Sequence, residues 1–526
     1  MSAPDLSPPK ATLVLVALVT GAIVANINLG IANVALPVIG RDLGASQSQL
    51  TAIANGFALG LAASVLYLGA IGDRYGRKLL FVAGAVLTVP CGFMAAYAPN
   101  GETLAIARFL GGFAAALLFP TTLSLITSMF SGKPQVRAIA LWSGLGGGVA
   151  AIGPLLGGVM LQNFWWGSVF LITLPLDVLA LVIGLFVLPW KSVGHSSSVD
   201  HLGGVLSVVF IGSAVVAIQI AGQGLSPVLI GVLIAAVVGG VLFFWREAKA
   251  RNPLLSLSLI SHRVVWVAWV AGVITFGSLI AAMFIGQQFM QNVLGYTPLA
   301  AAAAAVPSAI GMAVLGAVSG RIVEKRGSKP AFLMGLFVVA AGFLVMAFLW
   351  QSSTSIFWIL LAYALVGMGV GLSVTPASRS LTASMPKARA GMGSALVDLT
   401  RDFGGAVMQA VLGVLLATVY SGYFSKAFAN LPPEQAQALG SSAAQEIASS
   451  YAGAMEVAKT FPQADAEELV SAANKAFSEG KTIAYVVALA VTLIAFVLVW
   501  WRYPRKADEE AYYAQVQAAD SATAGE

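Results

Sequence analysis

Gly69-Ala70-Ile71-Gly72-Asp73-Arg74-Tyr75-Gly76-Arg77-Lys78 is ten residues of small, charged and turn-forming side chains between two apolar runs, 48–71 and 79–98. Each flanking run is long enough to cross a hydrocarbon layer about 30 Å thick as a helix. The tight connection between them holds one carboxylate and three cations, and Gly72 and Gly76 permit the sharp turn that joins two antiparallel helices. Cations concentrated in a short loop mark the cytoplasmic side of a membrane protein.

Working outward, the same reading applies along the chain. Fourteen apolar stretches occur, at 12–37, 48–71, 79–98, 103–130, 138–161, 165–189, 203–222, 226–245, 263–291, 298–320, 331–350, 355–379, 391–420 and 482–501. Even-numbered short connections carry Lys133, Arg137, Arg246, Lys249, Arg321, Lys325 and Arg326, among others, whereas the odd-numbered ones hold only Arg41. An even number of crossings with positive loops inside places both chain ends in the cytoplasm and the protein in the cytoplasmic (inner) membrane, multi-pass. The expected fold is therefore all-α and integral to the membrane.

Composition excludes most other classes. A chain with 58% hydrophobic and 10% charged residues and a mean hydropathy of +0.87 has too little polar surface for a soluble domain. The net charge of +6 is spread over cytoplasmic loops, so it is read by lipid headgroups and topology rather than by nucleic acid. Cys91 is the only cysteine, so no intrachain disulfide forms, and His195, His201 and His262 all fall in cytoplasmic connections. The membrane region thus lacks the nucleophile–base pairs and metal-ligand sets that an embedded enzyme needs. No appended soluble domain of the kind a sensor carries is evident.

The spans divide as six, two and six. Gly316 to Lys329, between the second and third spans of the last six, is a degenerate second copy of the opening stretch. Residues 1–11 are read as a cytoplasmic N-terminus, 12–189 as a six-helix bundle, and 190–262 as two inserted helices with cytoplasmic linkers. Residues 263–501 form the second six-helix bundle, and 502–526 a cytoplasmic tail, acidic, alanine-rich and expected to fray. Within the second bundle, 423–480 is a long extracytoplasmic loop with helix-compatible runs at Ser441–Lys459 and Ala464–Glu479; it either caps the outer mouth, where an extracytoplasmic partner could meet it, or is a passive insertion. Internal repeats of this kind build secondary transporters, with cargo bound near the midplane between the halves.

Gly69 to Lys78 also resembles the loop signature Gly-x-Leu-x-Asp-Arg-x-Gly-Arg-Lys of the major facilitator superfamily. Gly144, Gly148, Gly153, Pro154, Gly157 and Gly158 in the fifth span are similar to the glycine–proline signature of its exporters. Asn33 to Pro37, Gln291 to Tyr296, and Arg401 with Gly404-Gly405 extend the resemblance over essentially the whole chain, specifically to the fourteen-span drug:proton antiporter branch. This implies alternating access driven by the proton gradient without a cofactor, and a small amphipathic cargo. It also implies gating roles for Gly69, Asp73, Arg74, Gly76 and Arg77, and for Gly153, Pro154, Gly157 and Gly158. A lipid or glycolipid flippase of the same fold is the alternative.

Charges inside the spans are the sharpest signal, because each costs several kcal/mol unless paired or hydrated. Five occur: Arg108, Asp177, Asp398, Arg401 and Asp402. Asp398 and Asp402 lie one turn apart on one helical face with Arg401 beside it, and two carboxylates so close cannot both remain charged in a low dielectric without compensation. Asp398 is the first candidate proton carrier and Asp177 the second. Arg108 matches the arginine of the family's fourth-span signature, which implies proton transfer, with Gly111 where a glutamine is usual. Static pairing is the other reading for Arg108 and Asp402, and a structural hydrogen bond for Asp177. Asn28 replaces the acid usual in the first span of this branch, which moves the expected coupling to Asp398 or Asp177. Asn28, Asn55, Gln287 and Gln288 are the candidate cargo contacts, against a simple interhelical hydrogen-bonding role.

Overall fold

The computed structural model describes residues 8–130, 138, 141–142, 153–188, 199–221, 226–250, 253–254, 257–385, 390–430 and 440–523. Among these there is no strand, and thirteen helices are long and apolar enough to cross a membrane. They coincide with thirteen of the fourteen expected spans. The fifth, 138–161, falls largely outside the described residues, apart from a helical stretch at 153–163.

The first bundle comprises α1 (Pro8–Leu43), α2 (Gln47–Tyr75), α3 (Arg77–Ala96), α4 (Gly101–Met129), α5 (153–163), and the sixth crossing split into α6 (Ser168–Leu171) and α7 (Leu174–Val187). Two inserted helices follow, α8 (His201–Ala221) and α9 (Pro227–Lys249), then the short α10 (Leu257–Ile260). In the second bundle α11 (Arg263–Asn292) precedes a crossing split into α12 (Pro298–Ala304) and α13 (Val306–Arg326). It continues through α14 (Ser328–Phe348), α15 (Ile356–Ala383) and α16 (Ala390–Ala429). Beyond it lie α17 (Ser441–Ser449), α18 (Tyr451–Ala458), the last crossing α19 (Gln463–Arg502) and α20 (Lys506–Thr523).

The internal repeat recurs in the packing. In the first bundle α2 and α3 pack on α4, α3 on α7, and α1 on α4 and α7; in the second, α13 and α14 pack on α15, α14 on α19, and α11 on α15 and α19. The landmark loops match as well. Gly76, at φ +111°, ends α2 and starts α3, as Gly327, at φ +84°, does between α13 and α14; both angles favour glycine. Just beyond each glycine a lysine caps the bundle's last helix. Lys78 Nζ donates to Leu185 O at 2.6 Å and Leu188 O at 2.5 Å, and Lys329 Nζ donates to Tyr503 O at 2.9 Å. A cation on the free carbonyls of a helix C-terminus is favourable on both hydrogen-bond and dipole grounds.

The halves meet where α1 packs on α11 and α2 on α16. The inserted pair covers one flank of this seam: α8 packs on both α2 and α16, and Val215 shares an apolar cluster with Ala58, Leu59, Ala406 and Ala410. Two expectations are corrected. Ala464–Glu479 is not a separate helix but the first part of the 40-residue α19, and the preceding run breaks at Ser450 into α17 and α18. Tyr451 on α18 ties this segment to the bundle, its hydroxyl donating to Asn292 O at 2.7 Å and Asn474 Oδ1 at 2.9 Å. The tail, expected to fray, forms α20 and docks. Buried Glu509 accepts hydrogen bonds from Ser328 N, Ser328 Oγ, Tyr503 OH and Tyr513 OH.

Candidate functional site

In the first bundle, close approach of α2 and α4 sets the geometry. A Cβ at Gly112 would lie 2.0 Å from Phe57 O and one at Gly60 2.1 Å from Phe109 O, so only glycine fits at either contact. The approach turns Arg108 inward, where it is 2% exposed. Its Nη2 donates to Asn28 O at 2.7 Å and its Nε to Ile53 O at 3.4 Å, while the guanidinium lies over the rings of Phe57 and Phe170. Asp177, 1% exposed, accepts from Thr88 Oγ1 at 3.1 Å. Neither charge has an ion-pair partner among the described residues. Both line a cavity of about 30 Å³ together with Asn28, Thr88, Cys91 and Thr173. That volume suits a single water, and the walls offer the polar partners a buried water needs. Three predicted residues, Arg108, Asp177 and Asn28, are thus brought together.

The second charged group stands on α16. Arg401 Nε donates to Asp402 Oδ1 at 2.9 Å and its Nη2 to Oδ2 at 3.5 Å, whereas Asp398 Oδ1 lies 3.8 Å from Nη2. The Asp402 side chain is fully buried and that of Asp398 is 12% exposed. Across the seam, the Arg401 guanidinium sits 4.7 Å from the ring centre of Phe119 on α4. Two carboxylates and one guanidinium leave the trio with one net negative charge.

Helical periodicity puts Asp398, Asp402 and Gln409 on one strip of α16. Gln409 Nε2 donates to Asn33 Oδ1 on α1 at 3.2 Å, so the strip faces α1. α1 and α16 run in the same direction, and two turns before that bond stand Asn26 on α1 and Asp402 on α16. Asn26 therefore lies at about the depth of the ion pair, with its own Nδ2 bonded to Ala22 O at 2.8 Å.

The remaining cargo candidates do not converge with Asn28. Gln288 accepts from Gln47 Nε2 at 3.1 Å, Gln287 donates to Ala301 O at 3.0 Å, and neighbouring Gln291 donates to Val34 O at 2.9 Å. With Asn33–Gln409, three of these bonds cross between the bundles, all toward the face that carries the 44–46 connection and α18. Sequence reading names Asn33 and Gln291 only as parts of family-like motifs, without the bonds that join α1 to Gln291 and Gln409, and Gln47 carries no signal in it. Asn55 is wholly buried, and neither amide atom has a partner among the described residues. It lies on the α2 face that meets α16, between Thr51, which abuts Gly413, and the Ala58–Leu59 contact with Ala406 and Ala410.

The gating candidates divide in the same way. Arg77 Nη1 donates to Ser124 O at the end of α4 at 2.7 Å, Arg74 is exposed beside Tyr75, and a Cβ at Gly69 would meet open space. The side chain of Asp73, like Gly144 and Gly148, lies outside the described residues. On α5, which carries Pro154 in its first turn, a Cβ at Gly153 would lie 3.4 Å from Ile27 and one at Gly157 2.9 Å from Ile31. At Gly158 it would lie 2.7 Å from Leu299 Cα in the opposite bundle.

The model of the Major Facilitator Superfamily matches residues 18–409. The chain is 30% identical over 495 residues to the multidrug efflux pump LfrA of Mycolicibacterium smegmatis, covering 94% of this chain and 96% of that protein. It is also 30% identical over 518 residues to the tetracenomycin C resistance and export protein of Streptomyces glaucescens, covering 94% and 92%. Among solved structures, a bacterial homolog of the human lysosomal transporter Spinster, inward-facing and unoccupied, superposes with a TM-score of 0.63 at 17% identity, covering 97% of this chain and 99% of that one.

Proposed function

This chain belongs to the Major Facilitator Superfamily and is a multi-pass membrane transporter rather than an enzyme; on that premise we propose that it exports small amphipathic compounds in exchange for protons by alternating access. The carrying observation is the Asp398–Arg401–Asp402 trio, a partly exposed, net-negative group on the α16 strip that faces α1 across the seam. A proton entering from outside neutralises the trio at Asp398. Its release inside restores the charge, and the proton gradient is the only energy source required. Binding can drive the halves between states only through its different affinity for each. Polar amides along the seam and the efflux role in the relatives' names support an amphipathic drug-like cargo. The alternation of basic loops supports the cytoplasmic membrane with both termini inside.

The test uses acid-loaded inverted vesicles and a panel of lipophilic cations and neutral amphiphiles. Cargo-triggered proton release is expected in the wild type and lost in Asp398→Asn, with Asp177→Asn retaining it. No proton release with any compound, while cells still export lipid, would sink antiport in favour of a flippase.

A further inference from the structure

The inserted hairpin of α8 and α9 is a unit in itself. The Phe210 and Phe243 rings stack across it with centres 6.3 Å apart, and a Cβ at Gly240 would lie 2.9 Å from the Phe210 ring. Asp200 closes its cytoplasmic end, accepting from Gly203 N at 3.0 Å in the first turn of α8 and from Arg246 Nε at 2.8 Å in the last turn of α9. From there α8 lies along the groove between α2 and α16. Ile211 shares an apolar cluster with Leu66 on α2 and with Leu396 and Leu399 on α16, and Val215 joins Ala58, Leu59, Ala406 and Ala410 farther out. Leu399 and Ala406 bracket Asp402 along α16, so α8 stands at the depth of the Asp398–Arg401–Asp402 trio. Outside it, α9 turns Val237 and Val241 outward, each 64% exposed, so the hairpin separates the trio from the hydrocarbon.

The two walls of the groove hold α8 differently. On α2 the contact is keyed and polar. The Tyr67 hydroxyl hydrogen-bonds His201 Nδ1 at 3.0 Å, its ring meets the imidazole edge-on, and Tyr75 OH lies 3.5 Å from Nε2. Gly204 makes room for this, since a Cβ there would lie 2.0 Å from the Tyr67 ring. On α16 the partners are aliphatic, and among the described residues no hydrogen bond or ion pair joins α8 to α16. A directional, interlocked contact resists displacement, whereas a non-directional apolar one persists while helices shear past each other. Alternating access moves α2 against α16, one from each bundle. An open groove between them would admit acyl chains and set hydrocarbon against the charged trio, which is costly.

We propose that the inserted hairpin is a sliding seal: pinned to α2 through Tyr67 and His201, it travels with the first bundle while α16 slides beneath it, and it keeps lipid acyl chains out of the α2–α16 seam in both states. This rests on the alternating-access reading and adds a moving part to it. Cargo dissolved in the bilayer is denied entry on this flank and reaches the seam by the mouth or from the opposite flank.

Spin labels on the full chain in lipid nanodiscs, in a Cys91→Ser background, test both parts. Exposed Leu202 reports the hairpin, Leu79 the first bundle and Lys325 the second; the three pairwise distances are measured at pH 5.5 and 8 and in Gly158→Val. Between states, Leu79–Lys325 and Leu202–Lys325 are expected to change together by about 5 Å or more, while Leu202–Leu79 stays constant within about 2 Å. Tyr67→Phe/His201→Ala keeps the Tyr67 ring but removes the pin, and should at least double the width of the Leu202–Leu79 distribution. A label at half-buried Val407, beside the Val215 cluster on α16, should collide with lipid-dissolved oxygen at most about a third as often as one at Val241, in both states, and at least twofold more often once the pin is removed. A Leu202–Leu79 distance that shifts by more than about 2 Å, a Val407 label as exposed to oxygen as Val241 in either state, or a pin-free variant that behaves as wild type overturns the proposal. If Leu79–Lys325 is constant under every condition, alternating access itself fails and the seal with it.

Discussion

Replacing the Gln47–Gln288 pair should open the outer face, and the single and double variants should do so by different amounts. The bond is 3.1 Å long and joins two side chains that are 4% and 0% exposed. A neutral hydrogen bond of this kind contributes about 0.5–1.5 kcal/mol net, whereas a buried amide left without its partner costs about 1–3 kcal/mol. Gln47→Met/Gln288→Met removes both partners with little change in volume, so the closed state loses about 1 kcal/mol and the open fraction rises about fivefold. Gln288→Met alone strands the Gln47 amide in the closed state but lets it hydrate in the open one, so its shift should be larger, tenfold or more. Spin labels at Glu102 and Gln351, exposed on the outer ends of the two bundles, report the separation by pulsed electron resonance. Cys91 is the single native cysteine, so Cys91→Ser provides the background. Distances unchanged in both variants, or a double shift larger than the single, would refute this account of the gate.

Two further outcomes follow from the packing. Gly158→Val places a Cβ 2.7 Å from the Leu299 backbone, which cannot yield as a side chain would; the same label pair should report an opened outer face, and transport should fall more than tenfold. Tail docking should weaken with acid. Burial and the neighbouring Arg263 charge hold the His262 imidazole below its ordinary value. The neutral ring stacks on Tyr512 at 3.6 Å and accepts from Val264 N. A depressed value means stability that is present above the unfolded pKa of about 6.5 and lost as pH falls through the lower folded one. Protection factors across 506–523, which correct for the intrinsic slowing of amide exchange in acid, should therefore be lower at pH 5 than at pH 7.5, and His262→Phe, which retains a stacking ring, should remove most of that difference.

What the sequence discloses and what it hides divide along physical lines. Span positions are legible because bilayer insertion is governed by apolar length and loop charge, both local properties. The repeat is legible for a related reason, since Gly76–Lys78 and Gly327–Lys329 each need a glycine at positive φ and a lysine over the carbonyls of the bundle's closing helix. Less legible is how far a crossing continues past the bilayer. Gln463–Arg502 is largely hydrophilic over about its first five turns, Gln463 to Lys481, so the hydropathy signal ends while helix propensity does not. Composition likewise misleads for the tail, where the burial of Glu509 depends on Ser328, Tyr503 and Tyr513 arriving from other helices. The charged residues were found because they are costly. The grouping on α16 is legible as well, but which carboxylate takes the closer hold on Arg401 is not, because it is decided by side-chain geometry within one helical turn.

The two bundles repeat each other in helix packing but not in charge, and this asymmetry argues for a division of labour. Arg108 and Asp177 cancel formally, are 2% and 1% exposed, and face a space for one water. A proton delivered there would have to enter a narrow, formally balanced site and leave it carrying excess charge. On α16 the imbalance already exists: one guanidinium meets two carboxylates, and the more weakly held of them is the more exposed. Adding a proton to Asp398 removes net charge from a low-dielectric seam, whereas adding one to Asp177 creates it. That difference in sign, from two sites of similar chemistry in similar scaffolds, supports the proposal that exchange belongs to the second bundle, with a fixed polar core in the first.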